Sequence, residues 1–176
     1  DKYRIKYVIP NATKLNITIF RNKKFNAWYD YLTSHCEIEP TINEDQLLMN
    51  RKKIHKMIDN ASKYHNNDHS KIYLSGMSQG CCMALDAGLT YHKEIGGIIG
   101  FKGHVIEKTL NDLKTKQDIW VCHGTKDKTI FYDFAKKTYN NLKKKGVTVK
   151  LVTQDTNHGV RTGIHGQMID IVKWFG

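Results

Sequence analysis

Apolar and polar positions along the chain switch between a period near two and a period near 3.6, and the switches outline the elements. Residues 4–10 (Arg-Ile-Lys-Tyr-Val-Ile-Pro) read as a short strand stopped by proline. Residues 11–42 show little period and many turn formers, which predicts a long excursion; its aromatic concentration runs from Phe25 through Trp28 and Tyr29 to Tyr31. A helix is expected from Asn43, a good N-cap, with Gln46 three residues on as in a capping box. Leu47, Arg51, Ile54, Ile58 and Ala61 then share one mostly apolar face, and the helix fades into turn chemistry at 65–69. A short strand at 71–75 is followed directly by the glycine-flanked 76–80 and by a small-residue, buried helix at 81–89. A glycine-laced apolar strand (95–101), a helix (106–116) and a strand running into a loop (118–124) come next. An amphipathic helix at 131–145 has Lys143, Lys144 and Lys145 at its C-terminus and Gly146 as its stop. A β-branched strand (147–152) and a last helix (166–175) complete the pattern. Strand and helix alternate throughout, which predicts an α/β fold, a mostly parallel sheet with helices on both faces.

Composition narrows the picture. A length of 176 residues fits one domain over 1–176, large enough to bury a core without staples. Hydrophobic residues at 40% and charged residues at 26% suit a soluble globule, and no window approaches 18 consecutive apolar residues. The formal charge of +11 raises a nucleic-acid reading. Arg, the residue such sites favour, supplies only four of the 28 basic residues (Arg4, Arg21, Arg51 and Arg161). Lys and Asn are spread along the whole chain, so no nucleic-acid partner is expected, and membrane contact is at most peripheral. Cys36, Cys81, Cys82 and Cys122 match neither a disulfide framework nor a zinc pattern and read as reduced, mostly buried thiols. His65 and His69 have metal-ligand spacing, but Asn66-Asn67-Asp68 between them reads as a turn; neither metal nor cofactor is expected. His104, at the end of the 95–101 strand region, is expected to face water. Asn11, Asn16 and Asn60 lie in glycosylation sequons, which matter only in a secretory compartment; a cytoplasmic location is the expectation.

The chemistry begins at Gly76-Met77-Ser78-Gln79-Gly80, a G-x-S-x-G pentapeptide. Alone it is a weak signal. Its setting, an apolar strand before and a small-residue helix after, is that of a nucleophile elbow. In such a turn the Ser backbone is strained, Gly76 and Gly80 allow strand and helix to approach, and Ser78 Oγ stands clear near a helix N-terminus. The Gln79 N–H is then a candidate oxyanion donor. A serine hydroxyl needs a base, and the base an orienting acid. Asp127, in the loop after the 118–124 strand, is the acid candidate; His158, in the loop after the 147–152 strand, is the base. Strands of a parallel sheet bring those three loops to one edge.

On these residues the chain resembles the acyl-protein thioesterases and related small carboxylesterases, the phospholipase/carboxylesterase family of α/β-hydrolases. The likeness runs over 3–175 and is carried by Ile5-Lys6-Tyr7-Val8-Ile9-Pro10, Asn26-Ala27-Trp28-Tyr29-Asp30, the stretch 74–85 around Ser78, and Cys122-His123-Gly124-Thr125-Lys126-Asp127. It implies an α/β-hydrolase fold, with Ser78 as nucleophile, Asp127 as acid, His158 as base and the Gln79 amide as one oxyanion donor. The family also places a strand and an oxyanion loop upstream of the position where this sequence begins, and we expect that segment to belong to the functional protein. The stretch from His158 to Trp174 is longer than the family's, which makes His165 a rival base; His158 is preferred because it follows its strand at loop distance. Trp28 and Met77 are candidate substrate contacts, beside an acyl groove walled by the 11–42 excursion. The expected activity is cleavage of carboxylic esters or thioesters, on S-acylated proteins, simple esters or lysophospholipids. The rival readings are a peptidase or other ester hydrolase on the same scaffold and a catalytically silent binding module.

Overall fold

The computed structural model describes residues 5–34, 38–159 and 164–175. Four parallel strands form the central sheet: β3 (Tyr73–Met77), β4 (Gly97–Phe101), β5 (Ile119–Gly124) and β6 (Val149–Gln154), adjacent in chain order. Helices α2 (Gln79–Thr90), α3 (Glu107–Asn111) and α4 (Tyr132–Lys144) connect them, and α5 (Ile164–Phe175) follows β6. The registers run Met77 opposite Phe101, Phe101 opposite Cys122 and Gly124 opposite Gln154, so the C-terminal ends of all four strands share one edge.

β5 shows why the sheet is covered on both faces. Every one of its residues is buried, and they sort by parity. Ile119 and Val121 join the larger core with Leu47, Ile58, Leu85, Ala135 and Leu142 from the helices of one face. Trp120 and Cys122 join a smaller cluster with Ile171, Trp174 and Phe175 of α5 on the other. Such a strand must read as a continuous apolar run. The Trp120 indole N–H donates to Asp170 Oδ2 (2.7 Å) and Lys150 Nζ on β6 donates to its Oδ1 (2.5 Å), which ties α5 to the sheet.

Helix α1 (Glu44–Ser62) starts where the sequence predicts: Asn43 Oδ1 accepts the Gln46 N–H at 3.1 Å. The reciprocal half of the capping box is absent. Gln46 Oε1 instead accepts the Asp30 N–H (2.7 Å), and the Asn43 N–H goes to the Asp30 carbonyl (3.0 Å). Leu47, Arg51, Ile54 and Ile58 are buried, whereas Ala61 is only half-buried and Ser62 takes the core position.

Several expectations are overturned. Residues 5–10 form no strand and leave Ile5, Tyr7, Val8 and Ile9 exposed, because no strand among the described residues pairs with them; Arg4 lies outside the described residues. The 11–42 excursion contains an antiparallel hairpin, β1 (Thr13–Ile17) with β2 (Lys23–Ala27), turned through Arg21 and Asn22 in left-handed conformation. Helix α3 covers only five residues, not 106–116. The chain leaves it because Lys114 and Thr115 donate their N–H groups to Leu89 O at the end of α2, satisfying a carbonyl that α2 leaves open. Cys81, Cys82 and Cys122 are buried; Cys36 lies outside the described residues. Burial pushes the Cys82 thiol up to about 12 and the Cys122 thiol up to about 11. Among the described residues no helix is long and apolar enough to cross a membrane.

Candidate active site

Ser78 sits between β3 and α2 with φ 54° and ψ −123°, a conformation that non-glycine residues rarely adopt. Two features hold it there. The Ser78 N–H donates to Phe101 O at the end of β4 (2.8 Å), and Ser78 O accepts the N–H groups of Cys81 and Cys82 as α2 begins. Gly76 is required: a Cβ there would stand 2.1 Å from Gly80 O, inside any van der Waals contact. Gly80 is not required in the same way, contrary to the expectation. Its nearest neighbour for a Cβ is Trp28 Nε1 at 3.9 Å, an ordinary contact.

The acid loop leaves β5 and the base loop leaves β6, and the two are laced together. Thr125 N–H donates to Gln154 O (2.8 Å) and Lys126 N–H to Thr156 O (3.0 Å). Asp127, with a side chain closed to solvent, accepts the Thr129 and Ile130 N–H groups on Oδ1 (2.8 and 3.0 Å). Its Oδ2 faces His158 Nδ1 at 2.7 Å, and His158 Nε2 lies 2.9 Å from Ser78 Oγ. The three side chains predicted from far-apart segments therefore form one hydrogen-bonded row. Burial alone would raise the Asp127 carboxyl, but donors from His123, His158, Ile130 and Thr129 outweigh it and hold the group well below the usual carboxylate range. An ionised Asp127 requires the proton of His158 on Nδ1, which leaves Nε2 free to accept from Ser78. The His158 side chain is 22% exposed, so the row opens to solvent at its serine end.

Gln79 is the first residue of α2, and its N–H is one of the four that a helix leaves without an internal acceptor. Sequence reasoning missed what its side chain does. Gln79 Oε1 accepts the Trp28 N–H and Nε2 donates to Tyr29 O, each at 2.8 Å. Asn50 Nδ2 donates to Trp28 O, and Asp30 accepts from both the N–H and the hydroxyl of Thr18 (2.7 Å each). The aromatic segment is thereby pinned to the elbow, to α1 and to the hairpin. Trp28 and Met77, the candidate substrate contacts, are both half-buried; Met77 precedes Ser78 in the chain, and Trp28 Nε1 lies 3.9 Å from where a Cβ on Gly80 would stand. A groove of about 550 Å³ lies elsewhere, lined by Ile38, Val105, Leu110 and Phe134 and by none of the three residues of the row.

His104 does not face water. It is buried, its ring 5.0 Å from that of Phe134, and its N–H reaches Cys82 Sγ at 3.4 Å. His69 is buried in a short 3₁₀ turn with Nδ1 2.8 Å from Asn67 O, while His65 is exposed, so the two share no helix face. The side chain of His165, the rival base, lies outside the described residues. Two contributors went unread. His123, fully buried, places Nε2 2.9 Å from Ile130 O and 3.3 Å from Asp127 Oδ2; both are acceptors, so Nε2 carries the proton. Lys102, also buried, donates from Nζ to the carbonyls of Asn157 (2.7 Å) and Gly159 on either side of His158. The available signal for Lys102 was a lysine between Phe101 and Gly103 at the end of an apolar strand.

Comparison with known proteins follows the same lines. The chain is 35% identical over 99 residues to acyl-protein thioesterase 1 of Schizosaccharomyces pombe, covering 56% of this chain and 43% of that protein. It is 25% identical over 152 residues to acyl-protein thioesterase 1 of Yarrowia lipolytica, covering 81% and 66%. The chain thus spans less than two thirds of the length of either relative. Among solved structures, Arabidopsis thaliana SOBER1 superposes with a TM-score of 0.83 at 22% identity, over 96% of this chain and 81% of that one, which speaks to the fold. The model of the phospholipase/carboxylesterase family matches residues 1–175. This chain belongs to the phospholipase/carboxylesterase family, on an α/β-hydrolase fold.

Proposed function

We propose that this chain, acting as one domain, is a serine hydrolase that cleaves carboxylic esters or thioesters through an acyl-enzyme on Ser78. The observation that carries the reading is the row Ser78 Oγ, His158 Nε2, His158 Nδ1, Asp127 Oδ2, with separations of 2.9 and 2.7 Å. His158 takes the hydroxyl proton as Oγ attacks the acyl carbonyl, and Asp127 stabilises the imidazolium that forms. The developing oxyanion lies against the Gln79 N–H at the positive end of α2. His158 returns the proton to the leaving alcohol or thiol. A water molecule, deprotonated by the same imidazole, then frees the acid and restores Ser78. No cofactor enters these steps. The relatives' name supports S-acylated protein as substrate, with lysophospholipid and simple esters in the same chemical class.

Fluorophosphonate labelling of the full-length protein tests this. The parent is labelled and Ser78→Ala is not; equal labelling of the two, or of neither, ends the reading. Asp127→Asn lowers turnover by up to roughly 10⁴ by analogy with the same change in other triads, and a change below about tenfold means another carboxylate serves. His158→Ala abolishes labelling while His165→Ala retains it; the reverse result makes His165 the base.

A further inference from the structure

Lys102 stands just past the end of β4 in a backbone conformation that favours glycine, with φ 53°. Its side chain is buried as well, and an ammonium removed from water is unfavourable unless its N–H groups are used. Here they are directed at main-chain carbonyls of the base loop, Asn157 O at 2.7 Å and Gly159 O. The two carbonyls bracket His158. The other end of the residue is anchored with equal care: its N–H donates to Cys122 O (2.8 Å), while the preceding Phe101 O holds the Ser78 N–H (2.8 Å). One side chain thus spans from the seam between elbow and acid strand to the loop that carries the imidazole. Local strain and a buried charge persist at one residue only where surrounding contacts over-determine them, and such residues concentrate at functional sites.

We propose that Lys102 is a positioning residue, a clamp that fixes the backbone on both sides of His158 and so holds Nε2 on Ser78 Oγ. The inference rests on the reading of His158 as the base. A loop anchored only by its own strand would let the ring swing about a hinge; two charge-assisted bonds across 157 and 159 remove that freedom. Misplacement of a reacting group by about an ångström costs on the order of 10²-fold in rate.

Three substitutions and one spectrum decide it. Lys102→Met keeps the stem and removes the donors; kcat and the fluorophosphonate labelling rate fall by about 10- to 100-fold, with KM changed by less than about twofold. Lys102→Arg, which keeps charged donors, recovers part of that loss. Lys102→Gly relieves the backbone strain, so its thermal midpoint stays at or above the parent's while its kcat falls with that of Lys102→Met. The proton NMR resonance of His158 Nδ1–H, sharp in the parent, is exchange-broadened in Lys102→Met. Parent-like kcat in Lys102→Met, or losses of kcat that merely track losses of thermal midpoint, overturn the clamp. A sharp resonance in both proteins overturns it too, and that readout needs no turnover. A parent that resists labelling would instead end the serine-hydrolase reading, and the spectrum would still decide the clamp.

Discussion

A buried carboxylate without compensation would take up a proton, and Asp127 is spared because four N–H groups converge on it: His158 Nδ1, His123 Nε2 and the amides of Thr129 and Ile130. That convergence depends on how closely the acid and base loops approach, and Gly124 sets the approach. A Cβ at 124 would lie 2.2 Å from Thr156 O, a main-chain atom that cannot swing aside. Gly124→Ala therefore wedges the loops apart. We expect a stability loss of about 1–3 kcal/mol in urea denaturation, together with slower fluorophosphonate labelling as His158 draws off Asp127. Gly80→Ala is the control, since its Cβ meets nothing closer than 3.9 Å; it leaves stability unchanged or raises it by up to about 1 kcal/mol. Equal losses in the two variants would show that the loop contact is not what Gly124 protects.

At the scale of elements, α1 carries a charge on the stripe it buries. Arg51 Nε and Nη2 grip both oxygens of Asp86 on α2 (2.9 and 2.6 Å), and Nη1 reaches Asp112 Oδ2 (2.7 Å) beyond α3. Thr109 Oγ1 adds a bond to Asp86 Oδ1 (2.7 Å). The periodicity of α1 counted position 51 with the core face; the paired network is what lets an Arg stand there. Removing one partner of such a network strands the other's charge in the interior, at about 3–5 kcal/mol. Arg51→Met should show that loss in equilibrium unfolding. Arg51→Met combined with Asp86→Leu should recover part of it, and if the double variant is no better than the single one, the stranded charge is not the cause.

For the molecule as a whole, pH dependence follows from which groups folding shifts. Burial holds the His55 and His104 imidazoles below their ordinary range. The unfolded chain binds protons at these sites first, so their contribution is present above about pH 6.5 and is lost as the pH falls below it. The carboxyls of Asp127, Asp112 and Asp170 are depressed by their partners, Arg51 in the case of Asp112 and Lys150 in that of Asp170. Their contribution is present above about pH 4 and is lost below it. Glu39, raised by burial, works in the opposite sense. Stability measured in urea should decline gently from about pH 6.5 and steeply below about pH 4. A curve that is flat down to pH 3 would mean that these partnerships do not persist in solution.

The alternation of helix and strand from α1 onward, and the meeting of Ser78, Asp127 and His158 at one sheet edge, were legible in the sequence, for a topological reason. In a parallel sheet every strand ends at the same edge, so polar residues just past β3, β5 and β6 are neighbours whatever the details of packing. Local signals also placed the start of α1 at Asn43 and the need for Gly76, because a cap and a tight turn involve residues only a few positions apart. Tertiary structure alone decided the rest. Whether 5–10 pairs as a strand depends on a neighbour, and no propensity supplies one. α3 stops at Asn111 because the end of α2, more than twenty residues away in the chain, offers Leu89 O to Lys114 and Thr115. His104 is buried because α4 brings Phe134 against it, and Lys102 reaches the base loop across 55 residues of chain. Short-range pattern encodes where chemistry is presented, whereas the contacts that hold it in place come from residues that only the folded chain brings together.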